Sequence, residues 1–252
     1  MTTEKTHALV IRQADFSETS RVVTFFTREF GRISALAKGA KRLKGPFEAA
    51  IDLLSECQIV FIRKSSNSLD LLTEARLVQR FRPGRDGLIG LYGGYYVAEL
   101  LASLTEEYDP HPSLFDETIS TLEALASDSN SLVAIIRFEL CVLREIGQLP
   151  TFELCAVCES PTTSPGKYAY WVNQGGLICP SCRKQNYEQN LIQAGTVAIL
   201  RKLSEAQSQT AARLAISPVQ IQELRRITTS SVCHVLGRRP KTLRYIESAA
   251  AS

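Results

Sequence analysis

Cys155-Ala156-Val157-Cys158, followed after twenty residues by Cys179-Pro180-Ser181-Cys182, is the stretch from which the rest of this chain can be read. Each Cys-x-x-Cys pair can form a knuckle that offers two thiolates to one ion, and the insert is long enough to return as a hairpin. Tyr168 to Val172 reads as a strand, Asn173-Gln174-Gly175-Gly176 as a turn, and Leu177-Ile178 as the return arm that delivers Cys179. We read Cys155, Cys158, Cys179 and Cys182 as the ligands of one zinc ion. A redox dithiol and a pair of structural disulfides are the competing readings, although a redox site usually needs a single pair at a helix start after a strand. Four thiolates close a tetrahedral shell, so the expected zinc holds the fold together and leaves no position for a reactive water. None of His7, His111 and His234 is followed by Glu two residues later, so the zinc-deaminase pattern is missing as well.

Working outward, 252 residues suffice for one large core or for two domains plus the metal module. No apolar run reaches the eighteen residues of a membrane span, and Met1-Thr2-Thr3-Glu4-Lys5 lacks the apolar core of a signal peptide. A cytoplasmic location follows as the expectation. Of seven cysteines, Cys57, Cys141 and Cys233 remain outside the metal set in apolar surroundings, which suits buried thiols in a reducing compartment. The net charge of +3 is unevenly spread. Residues 1 to 86 carry 15 Lys/Arg against 10 Asp/Glu, residues 87 to 150 carry 2 against 10, and residues 151 to 252 carry 12 against 6. Basic ends around an acidic middle suggest a surface for polyanions, with the middle used for packing or a protein partner.

Five strand-like segments bounded by turn signals fill the first eighty residues: His7 to Gln13, Arg21 to Thr27, Arg32 to Lys38, Glu56 to Arg63, and Leu69 to Leu77 after Ser65-Ser66-Asn67-Ser68. The third alternates Arg32, Ser34, Leu36 and Lys38 with Ile33, Ala35 and Ala37, the pattern of a half-buried sheet. With no crossover helix visible, the sheet is expected to be antiparallel, and a five-stranded OB-type barrel that binds oligonucleotides is the natural candidate. The loop Lys38-Gly39-Ala40-Lys41-Arg42-Leu43-Lys44-Gly45-Pro46 carries four cations in seven residues and can follow a phosphate backbone, the plainer reading being a solvated loop. Phe25, Phe26, Phe30 and Phe47 can stack on bases, but in a small barrel such aromatics more often form the core.

Beyond Phe81-Arg82-Pro83-Gly84 the apolar period lengthens to that of helices. A first helix presents Leu88, Leu91, Tyr92, Tyr95, Ala98, Leu101 and Ala102, and Gly93-Gly94 inside it points to a close packing contact. Ser113 is expected to cap a second helix, a third runs from Leu132 to Ile146, Thr196 opens a fourth, and Ser217-Pro218-Val219-Gln220 opens a fifth with a capping box. The tail Gly237 to Arg244 is a second basic cluster, equally readable as a solvated helix end. The expected division is 1–83 for a DNA-binding barrel, 84–150 and 187–252 for the two parts of a helical domain, and 151–186 for the zinc module inserted in it. The fold class is α+β.

Several stretches, in order from end to end, resemble the RecO family of recombination and repair mediators. They are Ser20-Arg21-Val22-Val23-Thr24, Phe30-Gly31-Arg32-Ile33-Ser34-Ala35-Leu36-Ala37-Lys38-Gly39-Ala40, Leu71-Leu72-Thr73-Glu74-Ala75, the four cysteines with Gly175-Gly176-Leu177-Ile178, and Leu236-Gly237-Arg238-Arg239-Pro240-Lys241-Thr242. The resemblance implies an N-terminal OB domain, a helical domain and an embedded zinc module. It further implies binding to single- and double-stranded DNA, annealing of complementary strands, and joint action with RecR to load RecA recombinase onto strands coated by single-strand-binding protein. It marks Arg32, Lys38, Lys41, Arg42 and Lys44 as DNA-contacting positions, with Arg21 and Arg63 behind them. Such a protein is not an enzyme. The alternative is a zinc-containing interaction adaptor that does not bind DNA directly.

Overall fold

The computed structural model describes residues 2–42, 47, 50–64, 68–84, 87–127, 130–184, 191–205 and 215–251. Two compact units divide the chain: Met1–Ser131 with Pro240–Ser252, and Leu132–Arg239.

In the first unit, strands β1 (Thr2–Asp15), β2 (Arg21–Thr27), β3 (Gly31–Ala37), β4 (Ser55–Arg63) and β5 (Asp70–Arg80) close into a barrel in the order β1-β2-β3-β5-β4. Ala8, Val10, Val23, Phe25, Ile33, Ala35, Ala37, Phe47, Ile51, Cys57, Ile59, Phe61 and Leu72 fill its interior. The alternation expected for β3 is observed, since Ile33, Ala35 and Ala37 are buried and Arg32, Ser34 and Leu36 are partly exposed. One expectation is corrected: β3 and β5 pair in parallel through Ala35↔Asp70, Leu36↔Leu71 and Ala37↔Leu72. A parallel pair needs a long crossover, and the segment from β3 to β5, which includes β4, supplies it.

Phe25, Phe26, Phe30 and Phe47 pack in or against the barrel core. Phe25 and Phe26 are fully buried, Phe47 nearly so, and Phe30 meets Phe61 edge-on at 5.6 Å. Full burial of such a ring stabilises by about 2 kcal/mol, so Phe25, Phe26 and Phe47 are not on offer to a base, while Phe30 is half-buried against the core.

Helices α1 (Leu88–Leu104), α2 (Pro112–Ala126) and α6 (Leu243–Ala251) complete the unit. The buried face of α1 is Gly90, Gly93, Gly94, Tyr96, Val97, Ala98, Leu100 and Leu101, rotated from the sequence expectation, and Leu88 is exposed. The glycines shift the face because they let neighbours approach the backbone: a Cβ on Gly94 would lie 2.8 Å from Leu54 and 2.9 Å from Phe81. The close contact foreseen at Gly93-Gly94 is real. Gly31 is similarly constrained, with φ of +65° and the Asp109 carbonyl oxygen 2.0 Å from where a Cβ would stand. The cap of α2 is also corrected, for His111 occupies the N-cap position and Pro112 the first turn. Proline presets the helical φ and needs no amide partner there, which leaves Ser113 inside the helix.

The α6 helix was not foreseen. Its start is fixed by Glu99 on α1, whose carboxylate accepts from the Lys241 and Thr242 backbone amides at 2.8 and 2.9 Å and from the Thr242 hydroxyl at 2.7 Å. Leu243 and Ile246 are then fully buried.

The second unit holds most of α3 (Ser131–Glu145), the sheet β7-β6-β8 (Gly176–Ile178, Lys167–Trp171, Leu191–Gln193), α4 (Ala194–Ser204) and α5 (Pro218–Leu236). The strand β8 was missed and α4 begins before Thr196, with Gln193 at its N-cap. The capping box of α5 is formed: the Ser217 hydroxyl accepts from the Gln220 amide and the Gln220 side chain from the Ser217 amide. Cys57 and Cys141 are buried thiols as expected, whereas Cys233 is half-buried. Burial pushes the Cys57 thiol up to about 12, which keeps it protonated and inert. No helix among the described residues is long and apolar enough to cross a membrane.

Candidate metal centre and nucleic-acid interface

The four cysteines of the opening motif meet in the second unit. After β6, a 3-10 turn at Val172–Gln174 and Gly175 reverse the chain into β7, with Ala169↔Ile178 and Tyr170↔Leu177 in register. This hairpin delivers Cys179 to Cys155, and the Cys179 amide donates to the Cys155 sulfur at 3.3 Å. The first knuckle is held by Cys155 N–H to the Ser160 carbonyl at 2.8 Å and Ala156 N–H to the Leu177 carbonyl at 2.7 Å. The ligand atoms of Cys155, Cys158, Cys179 and Cys182 all lie within 4.8 Å of one another, and Cys158 and Cys179 have sulfurs 3.7 Å apart. A metal bound by four thiolates at 2.3 Å separates its sulfurs by roughly 3.8 Å, so the cluster fits a metal ion.

The thiols are tuned unequally. Hydrogen bonding with the Ser160 side chain and backbone, and then with the other cysteines, lowers Cys158 to about 6. Burial raises Cys155, but amides of Cys179, Cys158 and Val157 outweigh it and leave the thiol below its ordinary value. Cys182 is raised to about 12 by hydrogen bonds with Cys158 and Cys179. Cys155, Cys179, Tyr168, Tyr170, Leu177 and Ile178 belong to the same buried cluster as Leu140 of α3, Leu200 of α4 and Ile227 of α5. The cluster is built into the core of the unit.

The described basic residues expected to contact DNA lie in the first unit. Registers Asp15↔Arg21 and Arg21↔Ala37 place the end of β1, the start of β2 and the end of β3 side by side. The β1–β2 loop and the loop after β3 are therefore neighbours on one rim of the barrel. Lys41 ties them together: its amide donates to the Thr19 carbonyl at 3.1 Å, and its Nζ donates to the Ser17 carbonyl at 3.0 Å and pairs with Asp15 at 2.8 Å. Arg21 pairs with the same carboxylate at 3.3 Å and reaches Gln13 at 3.4 Å. Lys41 first and Arg21 second hold the Asp15 carboxyl below its ordinary range. Lys38 and Arg42 are exposed.

Thus Arg21, Lys38, Lys41 and Arg42 converge, while Arg32 and Arg63 do not join them. Arg32 shares the outward face of β3 with Lys38 but stands roughly 20 Å along the strand. There the Tyr108 amide donates to the Arg32 carbonyl, and the Arg32 Nε is buried without a hydrogen-bond partner. The guanidinium of Arg63 lies 4.0 Å over the Tyr108 ring, whose hydroxyl bonds to Asp70. This half of the β2–β3 face is covered, since Phe26 packs on Phe115 and Arg28 forms a two-point pair with Asp116 at 2.9 and 3.0 Å. Lys44, and residues 65–67 between β4 and β5, lie outside the described residues.

One rim residue escaped sequence reasoning. Phe16, in the β1–β2 loop, is 61% exposed. Nothing in the string distinguishes it from the phenylalanines that turned inward except its polar company, Asp15 and Ser17-Glu18-Thr19-Ser20.

A closed barrel with a basic rim, together with a helical unit built around a four-cysteine cluster able to hold a metal, defines a class of two-unit barrel-and-helix proteins. Family models narrow that class. The model described as "Recombination protein O N terminal" matches residues 1–81, and "Recombination protein O C terminal" matches residues 85–244. A protein named DNA repair protein RecO from Rhodopirellula baltica is 44% identical over 177 residues, covering 70% of this chain and 66% of its own length. One of the same name from Anaeromyxobacter sp. (strain K) is 30% identical over 243 residues, covering 96% of this chain and 95% of its own. The chain belongs to the RecO family of DNA recombination and repair proteins.

Proposed function

We propose that this RecO-family chain is a non-enzymatic recombination mediator that binds single- and double-stranded DNA, anneals complementary strands and, with RecR, loads RecA onto strands coated by single-strand-binding protein. The observation that carries the DNA-binding step is the gathering of Arg21, Lys38, Lys41 and Arg42 on two adjoining loops of one barrel rim. The strand order β1-β2-β3-β5-β4, with its parallel β3–β5 pair, supports an OB-type barrel, a fold that uses such loops for oligonucleotides. In this reading residues 1–83 form the DNA-binding domain, 84–150 and 187–252 the helical domain, and 151–186 an inserted module. Lys44 and the exposed Arg63 serve as outlying contacts, and Arg32, whose Nε is buried, contributes at most from the edge of the covered face. The ion is zinc: an all-sulfur tetrahedral donor set suits it, and a closed shell makes it structural. The working location is the bacterial cytoplasm.

A fluorescent single-stranded oligonucleotide titrated with protein, together with annealing of complementary strands with and without single-strand-binding protein, tests the reading. Phosphate-dominated binding weakens steeply with salt, so affinity should fall by orders of magnitude from low to moderate salt. Flat affinity, or no binding, refutes it. The pairing of both Lys41 and Arg21 with Asp15 favours one other reading, an adaptor that engages proteins and not DNA. Annealing activity without RecR or any other protein would eliminate that adaptor.

A further inference from the structure

An exposed phenylalanine standing alone on a surface is ordinary, but Phe16 is not merely left outside. Its loop is closed by hydrogen bonds that fix the backbone on both sides of it. The Phe16 and Ser17 amides donate to the Ser20 carbonyl at 3.1 and 3.2 Å, and the Ser20 amide donates to the Ser17 hydroxyl at 3.1 Å. The loop is further pinned from outside by Lys41, which holds the Ser17 and Thr19 carbonyls and the Asp15 carboxylate. Consequently the ring is displayed by a braced turn, where little conformational entropy remains to be lost on contact. On the same rim stand Lys38, Lys41, Arg42 and Arg21, with Asp15 already engaged by two of them and Glu18 as the loop's other acid.

Cations that follow a phosphate backbone, beside an aromatic face presented to solvent, are the two components of a single-strand binding surface. Every base has a π face, but only an unpaired base can turn that face to a protein ring. Of the other barrel phenylalanines, Phe25, Phe26, Phe47 and Phe61 are buried and Phe30 is half-buried against Phe61, so among the described residues Phe16 is the exposed ring of this rim. We propose that Phe16 is a stacking platform for an unpaired base, and that it makes the rim favour single strands over duplex. This rests on the DNA-binding reading above and assigns the base contact within it, where Lys38 and Arg42 make phosphate contacts.

The test compares the full-length wild-type chain with Phe16→Ala and Phe16→Trp on three probes: an oligothymidylate, an abasic deoxyribose-phosphate strand of the same length, and a blunt duplex. Because the ring is exposed, both variants should keep the wild-type melting temperature. Phe16→Ala should weaken oligothymidylate binding about tenfold, the scale of one lost base–aromatic stack, and leave the abasic strand and the duplex unchanged. Phe16→Trp should restore the affinity. The salt slope should be the same in all three proteins, because no charge has been altered. Equal wild-type and Phe16→Ala affinity for oligothymidylate overturns the stacking role while sparing the DNA-binding reading. An equal loss on the abasic strand also overturns it, by showing that the ring only supports the loop. A wild-type chain that binds none of the probes overturns both.

Discussion

At the barrel rim Lys38 and Arg42 stand exposed on a loop, and the nearest organising contact is the Asp15 carboxylate held by Arg21 and Lys41. At the cysteine cluster, Cys155 and Cys179 are buried in the same hydrophobic set as α3, α4 and α5, and the sulfurs are bonded by backbone amides and by each other. The rim can therefore change its charge with little effect on the fold, whereas the cluster cannot lose a sulfur without disturbing a core. In the proposed reading, one region meets something outside the chain. The other is organised to keep the chain together.

Four substitutions bring out that contrast, in order of expected effect. Cys179→Ser should reduce bound zinc from about one per chain to none and destabilise the second unit by several kcal/mol, since structural metal binding is folding free energy. Metal analysis and thermal unfolding measure it; full zinc content would break the contrast. Gly31→Val tests the fold beneath the rim. It places a branched side chain at positive φ against the Asp109 carbonyl and should cost about 3 kcal/mol in urea unfolding. Ser217→Ala removes half of the α5 capping box and should cost about 1 kcal/mol in the same measurement, with DNA affinity unchanged. Asp15→Asn frees Lys41 and Arg21 and should raise DNA affinity about twofold at neutral pH, a rim-sized electrostatic effect. The depressed Asp15 carboxyl is charged at neutral pH and keeps its pairs there. As pH falls through that lowered value the wild type loses them too, so the two proteins should converge in acid.

The cluster was legible in the sequence because its chemistry is local: two short knuckles, a hairpin turn and a return arm all fall within Cys155 to Cys182. The five strands and the α5 capping box were legible for the same reason, each signalled within a few residues. What escaped depends on partners distant in sequence. The tail Arg238 to Arg244 and the loop Lys38 to Lys44 read alike as basic clusters, yet Glu99 turns part of the tail into the start of a helix by capping Lys241 and Thr242. The parallel β3–β5 pair and the rotated face of α1 also depend on contacts many residues away. Phe16 is the sharpest case, since exposure belongs to the folded chain and cannot be read from a phenylalanine in a string.

The central claim is that the barrel rim binds the phosphate backbone. It is tested most directly by the slope of log affinity for a single-stranded oligonucleotide against log salt, in wild type and in Lys38→Ala/Arg42→Ala. Each lost phosphate contact on a single strand should flatten the slope by about 0.7, so the double variant is predicted to be shallower by about 1.4 and weaker at low salt. Parallel lines of equal affinity would contradict the account and move the interface off the rim.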